Sequence, residues 1–307
     1  FATMDPDAPD LEDYLGEVGR IALDLCAGRG TMVATDGVQK NQIGCNWKLA
    51  VDNLFDFYHV AISHASSQLS GYSNRRSSST DKNAPPIDMR DLFDPTKHRV
   101  LLGEYGHAIG GPRLSPESRA KFAKIVADNG GVAPEALLDQ SWRDNPELQA
   151  DVGPVGIDVM GHPNVFPNLW ITGTQLCLRL PKGPTTTELW WFTLVDEALT
   201  PELQRTIMHR ANHTFGPAGM LEQDDGENWD QSTRQTKGVV ARRYPLNFAM
   251  NLGHGAVTSP DVGPRHIDTH INEHAQLWTY RAWAEWMDAD SWASLKQHRT
   301  AMPADAL

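Results

Sequence analysis

Cysteine is scarce in this 307-residue chain: Cys26, Cys45 and Cys177 are the only three. An odd count without paired spacing does not make a secreted disulfide framework and fits a reducing compartment. None stands in a Cys-x-x-Cys or Cys-x-His arrangement, so these residues cannot hold a thiolate-ligated cluster by themselves. Basic charge is also short, with 27 Lys and Arg against 39 Asp and Glu and a formal net charge of −12. Phosphate backbones need a basic surface, so nucleic acid is not an expected partner. No apolar run approaches the roughly 20 residues that span a bilayer, so no membrane partner is expected either. The first residues, Phe1-Ala2-Thr3-Met4-Asp5, include neither an initiator methionine nor a basic signal segment. They read like the middle of a protein with a domain upstream. No internal repeat is present. What remains is a globular composition, 40% hydrophobic and 21% charged, long enough for one large domain and consistent with a cytoplasmic enzyme.

The most informative stretch is Asn46 to His64, Asn-Trp-Lys-Leu-Ala-Val-Asp-Asn-Leu-Phe-Asp-Phe-Tyr-His-Val-Ala-Ile-Ser-His. It carries two histidines, His59 and His64, with Asp56 just before the first. Neutral imidazole is a common ligand for zinc, iron and copper, and ligand imidazoles usually have a carboxylate or carbonyl behind them. Leu49, Asn53, Asp56, Phe57 and Val60 follow helical steps. Yet positions five apart on a helix point roughly 140° away from each other. Both histidines reach one ion only if the helix loosens between them, as in a π-bulge, or ends there. A helical His-Glu-x-x-His zinc site uses spacing four instead.

Elsewhere, residues 5–16 read as an acidic strap. The serine-rich segment 66–86 and the segment 101–112 read as loops that could bear on pocket size. Ser115-Pro116 opens a helix that stops near Gly130-Gly131. From Val155 to Val195 the texture is β, with Asn164 to Thr172 and Thr185 to Val195 as strands and Pro181 to Pro184 as a turn. Thr200-Pro201 caps a helix, and residues 271–289 form the last one. Helices flanking a run of strands predict an α+β fold.

After Gly216-Pro217 come four acids in six residues, Glu222, Asp224, Asp225 and Glu227. Taken alone, such a cluster reads as a solvated acidic turn, and it lacks the ligand order of an EF-hand. It matters because two histidines and one carboxylate on one face leave the remaining positions of Fe(II) open for oxygen and substrate. Among the other histidines, His98, His107, His254 and His298 have no partner at ligand spacing and read as surface or core residues. His209 and His213 step by four with no glutamate general base between them, and His266, His270 and His274 also step by four, but His266 and His270 precede the clear helical pattern.

Asn46-Trp47-Lys48, Asp56-x-Tyr58-His59-x4-His64, Phe166-Pro167-Asn168, Thr214-Phe-Gly-Pro-Ala-Gly219 and Glu222-Gln-Asp-Asp-Gly-Glu-Asn228 occur in that order. Together they resemble the catalytic domain of the large (α) subunit of Rieske non-haem iron ring-hydroxylating dioxygenases, over nearly the whole chain. The resemblance implies a helix-grip (START/Bet v 1-like) domain, a curved antiparallel sheet packed with helices, with residues 1–307 as a single catalytic domain. It implies mononuclear Fe(II) held by His59, His64 and Asp225. Asp224 and Glu227 remain alternatives to Asp225. It matches Asp56 to a bridging aspartate that orients the first histidine and passes electrons. Asp52, Asn53, Val60, Met160, His162, Phe215 and Leu221 match positions around a substrate pocket. The spacing from Asn53 to Asp56 is one residue shorter than in naphthalene-type members, which leaves open whether Asp52 or Asn53 faces that pocket.

The implied reaction inserts O2 into an aromatic hydrocarbon as a cis-dihydrodiol, with a ferredoxin and/or reductase as partner and NAD(P)H as the indirect electron donor. A homo-trimer (α3), with or without a small β subunit (α3β3), is implied by electron transfer between subunits. The family's [2Fe–2S] cluster motifs are absent from this chain, which places that cluster in an upstream domain. Competing readings are a Rieske-type monooxygenase or demethylase, a non-catalytic helix-grip module for a hydrophobic ligand, and a zinc hydrolase.

Overall fold

The computed structural model describes residues 2–70, 97–128 and 139–297. Its strands are β1 (Met32–Ala34), β2 (Gln39–Ile43), β3 (His98–Leu102), β4 (Ala108–Pro112), β5 (His162–Val165), β6 (Leu169–Thr172), β7 (Gln175–Gly183), β8 (Thr186–Asp196), β9 (Ala256–Thr258) and β10 (His266–Thr269). Its helices are α1 (Leu11–Ala27), α2 (Trp47–Asp52), α3 (Val60–Ser63), α4 (Ala65–Leu69), α5 (Pro116–Asp128), α6 (Pro146–Gly156), α7 (Pro201–Thr214), α8 (Met220–Thr236), α9 (His274–Asp288) and α10 (Trp292–Gln297). The strands form one antiparallel sheet in the order β1-β8-β7-β6-β5-β4-β3-β10-β9, with β2 also paired to β8. The expected α+β class is therefore observed, a sheet gripped by helices.

Alternation along the strands sorts side chains onto two faces. In β8, Thr187, Leu189, Trp191, Thr193 and Val195 are buried in strict alternation with half-buried neighbours. Successive residues of β3 divide likewise: Val100 and Leu102 join one core cluster and Leu101 the other. The first cluster packs α2, α8 and α9 on Ala108, Trp170, Cys177, Leu189 and Trp191. The second packs α1 and α6 on Ile109, Val165 and Ile171. With both faces covered, β3 is buried along its whole length. A lone amphipathic strand would not have shown that. Trp278 of α9 is 1% exposed and donates from its indole nitrogen to the Gly103 carbonyl at 2.8 Å, fixing the long helix to the β3–β4 connection.

The functional face begins at Asn46, whose side chain caps α2 by accepting from Lys48 N at 3.1 Å and donates to the Pro184 carbonyl at 2.8 Å. One residue thus starts the helix and ties it to the β7–β8 turn. Asn46→Ala should destabilise the fold by about 1–2 kcal/mol, and Asn46→Asp should recover the cap. Urea denaturation of the pair measures this; equal loss in both variants would assign the effect to the Pro184 contact instead.

Several expectations need correction. The acidic strap over 5–16 is a strap only as far as Asp10, which caps α1 by accepting from Asp13 N. The segment 101–112 is mostly the β3–β4 hairpin, paired from His98↔Pro112 to Leu102↔Ala108. It looked like a loop because its glycines mask the strand pattern. The acidic run 219–229 is the first half of the 17-residue helix α8. Of the serine-rich segment 66–86, residues 66–69 are in α4, and 71–86 lie outside the described residues. So do Gly130-Gly131 and His298.

Candidate metal centre

Three elements converge on the first face of the sheet. The helical periodicity from Asn46 does not run on to His64. Instead α2 ends at Asp52, turns follow through Asn53 to Tyr58, and a new short helix carries His59 as its N-cap and His64 as its C-cap. The mismatch of spacing five with a helical repeat is resolved by ending the helix. The third segment arrives through the turn between α7 and α8. Gly216 has φ +95°, and a Cβ on Gly219 would lie 2.5 Å from the Phe215 backbone, so the tight reversal requires these glycines. Within α8, Leu221, Glu222, Asp225, Gly226, Trp229 and Thr233 form the buried stripe. That stripe buries Glu222 and Asp225, of which Asp225 meets the two histidines, and leaves Asp224 at the rim and Glu227 exposed.

His59, His64 and Asp225 come together. His59 Nε2 lies 3.2 Å from His64 Nε2 and 3.5 Å from Asp225 Oδ1, and His64 Nε2 lies 3.3 Å from the same oxygen. A ring nitrogen binds a metal through a lone pair at roughly 2.1 Å, and a triangle of this size lets one ion reach all three atoms. The other side of each ring is anchored. His59 Nδ1 is 2.7 Å from both Asp56 Oδ1 and the Asp56 carbonyl, and His64 Nδ1 is 3.4 Å from Asp224 Oδ2. Donating from Nδ1 turns the Nε2 lone pair of His59 toward the centre. Ser66 Oγ donates to Asp224 at 3.0 Å, and Asn228 donates to Ser63 Oγ at 3.1 Å, pinning α3 and α4 to α8.

Asp225 Oδ1 is buried and has no hydrogen bond. A buried carboxylate oxygen without a donor is costly, and here it faces two ring nitrogens. Among the described residues this is the one group of histidine, cysteine and acid side chains whose atoms meet at metal-binding separation. Electrostatics agree. Burial lifts the Asp225 carboxyl to about 7, with the His59 imidazole lowering it and Asp56 and Asp224 raising it. Burial lowers His59, but its hydrogen bond to Asp56 and the charges of Asp56 and Asp225 outweigh that and carry it up to about 9. Burial, aided by the charge of Asp225, pushes Glu222 up to about 8. The centre attracts positive charge, which without a metal is a proton.

The pocket candidates separate into groups. Phe215 stacks on Trp191 at 5.1 Å and meets Trp170 edge-on at 4.9 Å, and Leu221 joins the same core cluster. His162 sits between Phe57 and Trp170, each 4.9 Å away, with Nδ1 3.1 Å from the Leu54 carbonyl. Val60 opens α3 between the two histidines. Asn53 Nδ2 donates to Asp56 Oδ1 at 3.3 Å, and Asn53 lines, with Asp52, Asp56, His59, Trp229 and Phe248, a 350 Å³ cavity. Asp52 accepts from Tyr280 at 3.1 Å while its other oxygen is buried without a partner, and burial holds its carboxyl well above the usual range. Met160 lines a different cavity, with Arg29 and Arg143.

Sequence reasoning missed Glu222 and Arg179 beneath the centre. Glu222 is 1% exposed and accepts from Trp191 Nε1 at 3.4 Å. Arg179, fully buried in β7 with its guanidinium 4.8 Å from the Trp170 ring centroid, is influenced by Glu222 and Asp225. The signal available was a lone arginine in an otherwise apolar strand alternation. Among the described residues the remaining histidines form no metal-binding group. His107 is a core residue, donating from Nε2 to the Tyr14 carbonyl at 2.7 Å and accepting from Phe166 N at 2.9 Å. His209 and His213 are exposed on α7, and His266 and His274 lie on different elements.

Comparison with known proteins places this geometry. Residues 12–289 match the family described as ring hydroxylating alpha subunit (catalytic domain). The α subunit of biphenyl dioxygenase from Paraburkholderia xenovorans is 32% identical over 311 residues, covering 96% of this chain and 62% of that subunit. The benzene 1,2-dioxygenase α subunit of Pseudomonas putida is 30% identical over 318 residues, covering 97% of this chain and 64% of its own length. The chain therefore spans less than two thirds of these curated relatives. A solved naphthalene 1,2-dioxygenase with indole in its active site shares the fold, with a TM-score of 0.71 at 24% identity over 95% of this chain and 63% of that one. Non-haem iron is typical of such domains, and the His/His/Asp group is compatible with it. With the family profile covering almost all of the described fold, the chain belongs to the ring-hydroxylating α-subunit catalytic-domain family.

Proposed function

We propose that this chain is the mononuclear-iron domain of an aromatic ring-hydroxylating dioxygenase and that His59, His64 and Asp225 hold its Fe(II). The observation that carries the reading is the convergence of three donor atoms within 3.5 Å, two of them on buried side chains and one a carboxylate oxygen with no hydrogen bond. A module that only encloses a hydrophobic ligand has no use for that arrangement. Iron held there supplies the activation of O2. The protein residues do the rest. Asp56 and Asp224 orient the two imidazoles from behind. Val60, His162, Phe215 and Leu221 offer an apolar and aromatic wall to a planar substrate, and the packed Trp170 and Trp191 behind them keep water out. Asp52 and Asn53 supply the polar side of the pocket, whereas Met160, on the cavity of Arg29 and Arg143, does not line it. His64 and Asp225 are both nearly inaccessible, so the site is dry once occupied. Asp56, on the more open cavity, is the group through which an electron donor reaches His59.

In this reading, residues 1–307 are one catalytic domain. A [2Fe–2S] domain, a ferredoxin and/or reductase and a trimer with or without a small β subunit complete the system, and the product is a cis-dihydrodiol. Among the described residues no helix is long and apolar enough to cross a membrane, which suits a cytoplasmic enzyme. Anaerobic titration with Fe(II), read by metal analysis after desalting, tests the proposal: one iron per chain is expected. Retention of zinc in preference to iron, or of no metal, would replace it with a hydrolase or a binding module.

Asp56→Ala removes the carboxylate behind His59 and leaves the backbone carbonyl at 2.7 Å, so iron binding should weaken by about tenfold, the low end of the cost of losing such a partner, read by competition with a chelator. Asp56→Asn keeps an acceptor oxygen and should recover most of that loss. Unchanged affinity in the alanine variant would remove Asp56 from its orienting role.

A further inference from the structure

Away from the triad, where the C-terminal end of α1 meets the ends of β5 and β6, lies a cavity of 210 Å³ lined by Arg29, Gln140, Arg143, His162 and the Thr172-Gly173 turn. Two guanidiniums share it, with the Trp142 indole packed against both. The guanidinium carbons of Arg29 and Arg143 are 4.4 and 4.3 Å from the ring centroid. The two arginines differ in how they are satisfied. Arg143 is 2% exposed and has a partner for each nitrogen: Nε donates to Gln140 Oε1 at 2.8 Å, and its terminal nitrogens donate to the carbonyls of Ile157 and Val159 at 2.5 and 2.8 Å. It positions the cavity wall. Arg29 is half-buried, its Nε is buried without a hydrogen-bond partner, and among the described residues it forms no ion pair.

Two neighbouring cations without a carboxylate between them repel, and a buried guanidinium with unused donors is expensive. Arg143 is held down to about 9, mainly by burial and next by the charge of Arg29, and only Asp158 opposes this. Asp158 is itself paired with Arg113 at 3.3 Å. A stacked guanidinium is a ready donor for oxyanions because its planar fork matches their geometry. The cavity is smaller than the roughly 300–1,000 Å³ of drug-sized sites, which favours a compact anion.

We propose that this cavity is a binding site for a small oxyanion, a carboxylate or a phosphate, with Arg29 supplying the hydrogen bonds and Arg143 the second positive charge. The occupant replaces the missing acceptor for Arg29 and relieves the repulsion between the two arginines. The site is independent of the metal centre, so metal-free and iron-loaded protein should bind the anion equally well.

Isothermal titration of the 307-residue chain with sodium phosphate and, separately, sodium benzoate, at constant ionic strength set by chloride, tests this. Saturable one-to-one binding is expected for at least one of the two. Arg29→Gln should weaken it at least tenfold, and Arg29→Lys should retain part of it. Binding of phosphate alone identifies a free inorganic ion as the source, and tighter benzoate binding identifies an organic acid; both support the site. Thermal unfolding of Arg29→Gln checks that the variant is folded. Absence of saturable binding by either anion, or affinity unchanged in folded Arg29→Gln, overturns the proposal whatever the metal content.

Discussion

Asp225→Ala will lower Fe(II) affinity by more than about a hundredfold, because loss of a group that merely orients a ligand already costs 10–100-fold and here a donor atom itself is removed. Asp225 supplies the single carboxylate of the converging group, so its loss also takes away the negative charge that offsets the ion. The same substitution should not unfold the metal-free protein. Asp225 Oδ1 has no hydrogen bond to lose, and its carboxylate is held in a dry place that disfavours its charge. Affinity and stability should therefore move in opposite directions, a signature that general misfolding cannot imitate. Iron stoichiometry after dialysis, alongside urea denaturation of the metal-free variant, measures both. Stoichiometric iron in Asp225→Ala would pass the ligand role to Asp224, whose carboxylate already reaches His64 Nδ1 at 3.4 Å.

The metal-free protein should lose stability as pH rises from about 6.5 to 9, and iron should reverse that trend. Asp225 at about 7, Glu222 at about 8 and His59 at about 9 all sit above their ordinary values. In each case the folded state holds its proton more tightly than the unfolded chain does. Such groups contribute stability that is fully present below the unfolded pKa and lost as pH climbs through the folded one. For the two carboxyls the loss begins at the acid end, and for His59 it begins near 6.5. Below 6.5 the trend is blunted, because His107 and His274 are depressed to about 4 by burial and favour the folded state as pH rises toward 6.5. The clean window is therefore 6.5 to 9, with a loss on the order of a few kcal/mol. A metal competes with the same protons, so its affinity rises with pH, and the iron-loaded protein should be flat or rising across the window. Denaturant midpoints from pH 6 to 9, with and without Fe(II), test this; parallel profiles would mean that the three groups do not share their protons with the metal site.

Much of the centre was legible in the chain because its parts are short and local. Asp56, His59 and His64 lie within nine residues, and a distorted or interrupted helix was the only way for spacing five to serve one ion. The structure interrupts it. Thr200 as N-cap and the alternation of β8 were equally readable, since capping and period-two burial depend on neighbours in sequence. Elements with glycine or with acids on both sides were not. The β3–β4 hairpin carries Gly103, Gly106, Gly110 and Gly111, which weaken its pattern, and Gly106 and Gly111 take positive φ. Helix α8 looked like a turn because Glu222, Asp224, Asp225 and Glu227 suggested solvent, although two of the four are buried.

The sequence by itself determined the donor types, the interruption of the helical pattern in the segment that carries the two histidines and the α+β class, because each follows from spacing and side-chain chemistry along one stretch of chain. It also contained the family's ordered motifs. Only the tertiary structure showed which acids of the run are buried, since Glu222 and Asp225 lie on a stripe of α8 that exists only where the helix lies on the sheet, and among the described residues it is Asp225 that meets the two histidines. The same holds for Arg29 and Arg143, more than a hundred residues apart, whose shared cavity arises where α1 crosses the strand ends. Burial and long-range proximity are properties of packing, and no local pattern encodes them.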